Sequence, residues 1–280
     1  MKINSLIRDY TRELEAVSER PFKEVEEIFM SFLNLENRSR LYTSNFTLEN
    51  EFKNKITLVI KNRKKNIPLQ YLLPNVNFYG LNFTVNEGVF IPRPETEIIV
   101  DYIVKNFSGR KNLRILEIGT GSGVISICLT KNLPQCKIIA IDISPHAISE
   151  AHRNAVLNNC RSDILFIRGN LFDFLKEGRY FDLVVSNPPY VGKKEFDSLS
   201  EEVKKEPQTA LLGGEEGFEF SLKLIKSGMS YIKKNAKIVL EICPGHRTKY
   251  EDCLSPEYKV EFIKDLQNRD RVMIVELNNG

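Results

Sequence analysis

Apolar positions in the first quarter of the chain recur at helical spacing. Leu6, Ile7, Tyr10, Leu14 and Val17 share one helical face. Ser18 to Pro21 reads as a start signal for a second helix carrying Val25, Ile28, Phe29, Phe32 and Leu33, and Thr47 is placed to cap a third carrying Phe52, Ile56, Val59 and Ile60. Together these stripes predict a small all-α domain over residues 1–66, with the apolar faces forming its own core.

At Ile67-Pro68-Leu69-Gln70-Tyr71 the texture changes, and residues 67–92 read as a linker containing a β-hairpin at 76–85. Phe90-Ile91-Pro92-Arg93-Pro94-Glu95-Thr96-Glu97 follows. Its prolines hold Arg93 extended, and it opens a helix through Ile98, Ile99, Tyr102 and Ile103. Beyond about residue 110, strand-length apolar runs alternate with helical patterns. Strands are expected at 113–118, 137–141, 164–167, 181–186, 236–241, 258–263 and 271–277, with helices including 124–131, 145–157, 218–233 and 246–254. Such alternation predicts an α/β domain over residues 93–280, built on a doubly wound, mainly parallel, seven-stranded sheet.

Composition narrows the class. A 280-residue chain that is 42% hydrophobic and 28% charged can bury a large core as an ordinary soluble protein, and no apolar run approaches membrane-spanning length. The N-terminus becomes charged too early for a signal-peptide core, which points to a cytoplasmic protein. Five cysteines without a Cys-x-x-Cys pair and three histidines without His-x-x-x-His spacing predict neither a disulfide framework nor a metal site. The net charge of +3 lies wholly in residues 1–70, which hold 13 Lys and Arg against 10 Asp and Glu. It is densest at Lys53, Lys55, Lys61, Arg63, Lys64 and Lys65, read as a solvated helix face ending in a favourable cationic turn. No spare hydrophobic stripe stands out, so a monomer is expected.

The chemistry begins at Glu117-Ile118-Gly119-Thr120-Gly121-Ser122-Gly123, a buried strand feeding a glycine turn and then a helix. Doubly wound sheets bind ligands there, beyond the carboxyl ends of their strands. A dinucleotide Gly-x-Gly-x-x-Gly pattern would need glycine where Val124 stands, and the acid just before the turn disfavours phosphate. Asp142 ends the second strand, where a carboxylate can hold a ribose diol, with Ile143 next to it. After the third strand, Asn170 is placed to read an adenine amino group while Leu171 or Phe172 covers the ring. An acid, an acid and an amide on consecutive strands make a site for a nucleoside joined to an amino acid, as S-adenosyl-L-methionine requires.

A fourth strand runs into Asn187-Pro188-Pro189-Tyr190. Proline has no backbone N–H, so Pro188 and Pro189 offer only carbonyls. With the Asn187 side-chain oxygen they can form an acceptor-only pocket suited to an –NH2 group, and Tyr190 adds an aromatic face.

These motifs, with Pro68-Leu69-Gln70-Tyr71, Ile91-Pro92-Arg93-Pro94-Glu95-Thr96-Glu97, Glu206-Pro207 and Ala210-Leu211, resemble those of the HemK/PrmC protein-(glutamine-N5) methyltransferases over essentially the whole chain. One departure is Asn170-Leu171-Phe172, where family members commonly carry Asp-Trp or Asp-Leu-Phe. The resemblance implies a Rossmann-like S-adenosylmethionine-dependent methyltransferase domain behind a helical substrate-docking domain. Its expected substrate is the glutamine of the Gly-Gly-Gln motif in peptide chain release factors, met in the neighbourhood of the ribosome, with no direct contact to DNA or membrane. Asn187, Pro188 and Tyr190 would act at the amide, Pro189 would complete its pocket, and Glu117, residues 119–123, Asp142, Ile143, Asn170, Leu171 and Asn187 would bind the cofactor. Two other readings exist: an amino-methyltransferase for a DNA or RNA base, and a cofactor-binding scaffold without catalysis. Residues 71–280 carry no excess positive charge for a nucleic-acid groove, and a scaffold has no use for an acceptor pocket.

Overall fold

The amphipathic stripes of the N-terminal region fold as helices α1 (Ile3–Leu14), α2 (Pro21–Phe32), α3 (Ser39–Thr43) and α4 (Asn50–Arg63). This computed structural model describes residues 3–44, 46 and 48–278; Thr47, expected as a helix cap, lies outside them. Leu6, Ile7, Leu14, Val25, Ile28, Phe29, Leu41, Ile56 and Ile60 meet in one core, because each stripe alone leaves its apolar face wet. The short α3 was not expected; five residues are too few to show a helical period. It is held where Tyr42 and Arg38 both donate to the buried Glu26 carboxylate.

By its contacts the chain divides into two compact units. The first runs through Val76 and adds Val85–Glu87 and Ser200–Lys205, and the second takes the rest. Within the first, the cationic run departs from the expected solvated face at one residue. Arg63 is only 2% exposed and donates to Glu24 at 2.8 Å and to Glu202 at 2.6 Å. Its neighbours behave as surface charges, Lys64 on Glu13 and Lys55 on Glu51.

Strands β1 (Val76–Phe78) and β2 (Leu81–Phe83) form the expected hairpin. Both turn residues, Tyr79 and Gly80, have positive φ (51° and 74°), the geometry that matches the twist of a two-residue hairpin. A single 3-10 turn at Pro94–Thr96 then leads into α5 (Glu97–Phe107).

In the second unit, β3 (Arg114–Ile118), β4 (Lys137–Asp142), β5 (Ile164–Arg168) and β6 (Phe181–Ser186) alternate with α6 (Val124–Asn132) and α7 (Pro145–Leu157). Past β6 come the short β7 (Val191–Gly192), α8 (Lys193–Phe196), α9 (Gln208–Leu211) and β8 (Leu212–Gly214). The remaining elements are α10 (Glu219–Gly228), β9 (Ile232–Glu241), α11 (Arg247–Cys253), β10 (Tyr258–Lys264) and β11 (Asp270–Leu277). The large sheet has seven strands in the order β10-β11-β9-β6-β3-β4-β5. Its pairs from β9 to β5 are parallel, and β11 runs antiparallel to both of its neighbours.

The expected helix over 218–233 stops at Gly228, where Ile238 and a ring edge of Phe172 fill the space a Cβ would take. Strand β9 starts at Ile232 instead, and Asn235, with φ 63°, carries the shift in its register against β6. Among the described residues no helix is long and apolar enough to cross a membrane.

Arg63→Ala should leave two carboxylates facing the hole of a buried cation. We expect the helical unit to lose about 3 kcal/mol by chemical denaturation, and a loss below a few tenths would show that the pairs contribute nothing net.

Candidate active site

Sheet topology brings four strand ends to one edge. Beyond the carboxyl ends of β3, β4, β5 and β6 lies a cleft of about 330 Å3, lined among others by Glu117, Gly119–Ser122, Asp142–Ser144, Gly169–Leu171 and Ser186–Pro189. Residues from the Phe90–Thr96 segment and from Pro207 to Leu212 close it.

The glycine turn is held by backbone. The N–H groups of Gly119 and Thr120 both donate to the Ile141 carbonyl, at 2.8 and 2.9 Å. Gly123, at φ 83°, lies so close to α7 that a Cβ would meet Ala151 at 3.1 Å, so glycine is required by conformation and by packing.

Glu117 is fully buried. Its Oε2 accepts hydrogen bonds from Thr120 and Ser126, while Oε1, on the same cleft-lining side chain, has no partner. Burial raises its pKa to about 8 against the help of those two hydroxyls. A buried orphan acceptor of this kind suits a cationic amino group. Asp142 does more than the sequence suggested. Its two oxygens accept from the backbone N–H groups of Gly121 and Ser144, both at 2.9 Å, so it pins the glycine turn to the start of α7 and retains further lone pairs for a diol. Burial also raises its pKa, opposed by those N–H bonds.

At the end of β5 the expected residues separate. Leu171 lines the cleft in the left-handed region (φ 47°), and Ile143 stands at the cleft 57% exposed, so both offer apolar surface there. Asn170 donates to Asp173 at 3.3 Å and keeps its side-chain oxygen available. Of the two residues offered as ring cover, Phe172 does not line the cleft: it turns into the core and stacks on Tyr231, with ring centroids 4.7 Å apart.

Past β6, the Ser186 hydroxyl ties the strand to the Ile118 carbonyl. The Asn187 amide nitrogen donates to Thr96 Oγ1 at 2.9 Å, and Thr96 in turn donates to Glu241 at 2.6 Å. With its donor end so engaged, Asn187 has its oxygen free for the cleft. Pro188 and Pro189 line that cleft, whereas Tyr190, expected to act at the amide, is not among its lining residues and donates its hydroxyl to the buried Glu241 at 3.3 Å. Burial pushes Glu241 up to about 7.

Three groups of residues take parts that were not assigned from sequence. Thr96, noted only as part of the motif at 91–97, accepts from Asn187 and donates to Glu241. Glu206 binds the Ile91 N–H at 3.0 Å and the Arg93 guanidinium, clamping the Pro-Arg-Pro segment. Gly213 and Gly217 lie where any side chain would collide with the carbonyls of Pro189 and Tyr190. Thr96 and Glu206 were marked by the motifs they belong to, and Glu241 carried a weaker signal, an acid at the end of an apolar run as Asp142 is.

The family model described as "Methyltransferase small domain" matches residues 80–215. The chain is 37% identical over 91% of its length to the release factor glutamine methyltransferase of Thermodesulfovibrio yellowstonii, covering 92% of that protein. It is 35% identical over the same share to the protein so named in Fusobacterium nucleatum, covering 73% of it. Among solved structures, a methyltransferase from Pyrococcus furiosus superposes with a TM-score of 0.53 at 21% identity, over 81% of this chain and 98% of that one, which shows a common fold.

Two outcomes follow from the packing and the buried acids. Gly213→Ala should cost roughly 1–3 kcal/mol of stability through overpacking; an unshifted denaturation midpoint would mean the loop yields freely. The second outcome concerns pH. Glu117 and Glu241 titrate near 8 and 7 in the folded chain against 4.5 in a free side chain, so between those values the folded state holds protons that the unfolded chain has released. Their contribution to stability is complete below pH 4.5 and is lost as pH rises through 7 to 8, with a slope of up to about 1.4 kcal/mol per pH unit and group. Glu117→Gln, which mimics the protonated acid, should flatten the decline above pH 7 in denaturation experiments, and an unchanged slope would discard the assignment.

Proposed function

From the premise that this chain belongs to the release factor glutamine methyltransferases, enzymes dependent on S-adenosylmethionine, we propose that it methylates the side-chain nitrogen of the glutamine in the release factor Gly-Gly-Gln motif. One observation carries this reading: Asn187 is anchored by its nitrogen on Thr96, beside two prolines that have no N–H, so the cleft wall there offers acceptors without donors. A primary carboxamide brings two hydrogens to such a wall.

When bound, S-adenosylmethionine supplies a methyl group activated by the adjoining sulfonium. Glu117, through its orphan Oε1, would hold the amino end of its methionyl part. Asp142 would take the ribose, with Ile143, Leu171 and Asn170 at the adenine. The glycine turn lets the backbone approach the ligand closely.

An amide nitrogen is a poor nucleophile because its lone pair is delocalised into the carbonyl. Asn187 Oδ1 and the Pro188 carbonyl, each accepting one N–H, orient the nitrogen and stabilise positive charge as it grows there. Neither acceptor has to be a strong base: the methylated nitrogen is acidic enough to pass its proton to them or to water. Selectivity comes from the same wall. A glutamate in place of the glutamine would press carboxylate oxygens against carbonyl oxygens with no donor between them. In this reading the helical unit docks the release factor, and the enzyme works as a cytoplasmic monomer close to translating ribosomes. A base-methylating activity has no support from a basic groove.

Radiolabelled methyl transfer to purified release factor, tRNA, rRNA and DNA tests the substrate, with label expected only in the release factor. Asn187→Ala should bind cofactor nearly as well as the wild type while turning over roughly two to three powers of ten more slowly, the scale for losing one charge-stabilising group. Turnover within a few-fold of wild type would remove Asn187 from the chemistry.

A further inference from the structure

Glu241 is fully buried at the end of β9, is not among the residues lining the cleft, and nothing in the transfer step above uses it. Its Oε2 accepts from the Thr96 hydroxyl at 2.6 Å and its Oε1 from the Tyr190 hydroxyl at 3.3 Å. Among charged neighbours, Arg271 favours its anion and Glu95 opposes it. Thr96 is itself buried, 1% exposed, so water does not compete for its single proton.

That single proton decides the direction of the chain. Given to Glu241, it leaves only lone pairs on Thr96 Oγ1 facing Asn187, and these accept the amide nitrogen at 2.9 Å. An asparagine side chain has one donor end and one acceptor end of nearly the same shape, and packing alone distinguishes them poorly. Without a directed partner the amide can turn over. Its –NH2 would then face the cleft and meet a substrate –NH2, donor against donor.

We propose that Glu241, acting through Thr96, is the positioning residue that sets which end of the Asn187 amide faces the substrate, and so makes the wall an acceptor. The inference rests on the reading of Asn187 as the acceptor for a glutamine amide, and it adds the cause of that residue's orientation. Tyr190 belongs to the same device: against the burial that favours the neutral acid, its hydroxyl donates to the second oxygen and so favours the carboxylate form that accepts from Thr96.

The test compares Thr96→Val, which keeps the shape but neither donates nor accepts, with Thr96→Ser, which keeps the hydroxyl. Each is assayed on full-length release factor, with cofactor affinity measured separately by calorimetry. Thr96→Val should keep cofactor affinity within about twofold and KM for the release factor little changed, and lose roughly 10- to 100-fold in kcat, the scale of one lost hydrogen bond to a group that must be held in place. Thr96→Ser should restore kcat to within a few-fold of wild type, which a purely steric role for the threonine methyl would not allow. Thr96→Ala serves in place of valine if the latter does not fold. A valine or alanine variant with wild-type kcat, or a serine variant as slow as valine, overturns the proposal. A wild-type enzyme that transfers no label to release factor would instead overturn the functional reading beneath it.

Discussion

The lateral register of β3 is the constraint on which the site depends. Glu117 pairs across from Ala140 of β4 on one side and Val185 of β6 on the other. A shift of one residue on either side would turn every side chain of that neighbour to the other face. It would also move Asp142 or Asn187 by a residue's length along the cleft. The register is enforced by burial, since Ile115, Leu116, Ile118, Leu183, Val184 and Val185 are all inaccessible to solvent or nearly so. Thus the hydrophobic sheet, which touches no ligand, fixes the separations between the polar groups at its edge.

Those polar groups are expensive to keep there. Three acids, Glu117, Asp142 and Glu241, end apolar strands at the same edge, and burial raises the pKa of each. Each is partly compensated, though by different means. Asp142 is held by two backbone N–H groups, Glu117 by Thr120 and Ser126, and Glu241 by Thr96 and Tyr190. Their residual cost is the usual mark of groups retained for chemistry rather than for stability. Glu117 shows it most plainly, since one of its oxygens stays unpaired in a fully buried position.

What could be read in the sequence follows from the range of each signal. Seven strands, their parallel core and the glycine turn were legible because each rests on a local period or a short motif; Gly119 to Ser122, Asp142 and Asn187 line the cleft, while Gly123, expected with them, packs against Ala151 of α7. The end of α10 was not legible. The spacing of Leu224, Ile225, Met229 and Ile232 continues a helical pattern past Gly228, the last residue of α10, so the local period alone does not mark its end. Between Leu171 and Phe172 the sequence left the choice open, because an aromatic beside a motif offers a face whose direction is set by distant partners, here Tyr231 for Phe172 and Glu241 for the Tyr190 hydroxyl. The burial of Arg63 depended on Glu202, 139 positions further along the chain, beyond the reach of any local pattern.

An acceptor-only pocket also poses a mechanical problem. A loop is ordinarily held by its own N–H groups, and Pro188 and Pro189 have none to offer. Its rigidity must therefore come from outside. Side chains supply part of it: Asn187 is tied to Thr96 and Tyr190 to Glu241. The rest comes from contact, as Gly213 and Gly217 bring bare backbone against the carbonyls of Pro189 and Tyr190, where a side chain would collide. The two tiny strands β7 and β8, which pair in this region, are the secondary-structure trace of that approach. The glycines after residue 212 thus belong to the same device as the prolines at 188 and 189. The prolines remove donors from the wall, and the close-packed glycine backbone supplies from outside the support that those missing N–H groups cannot give.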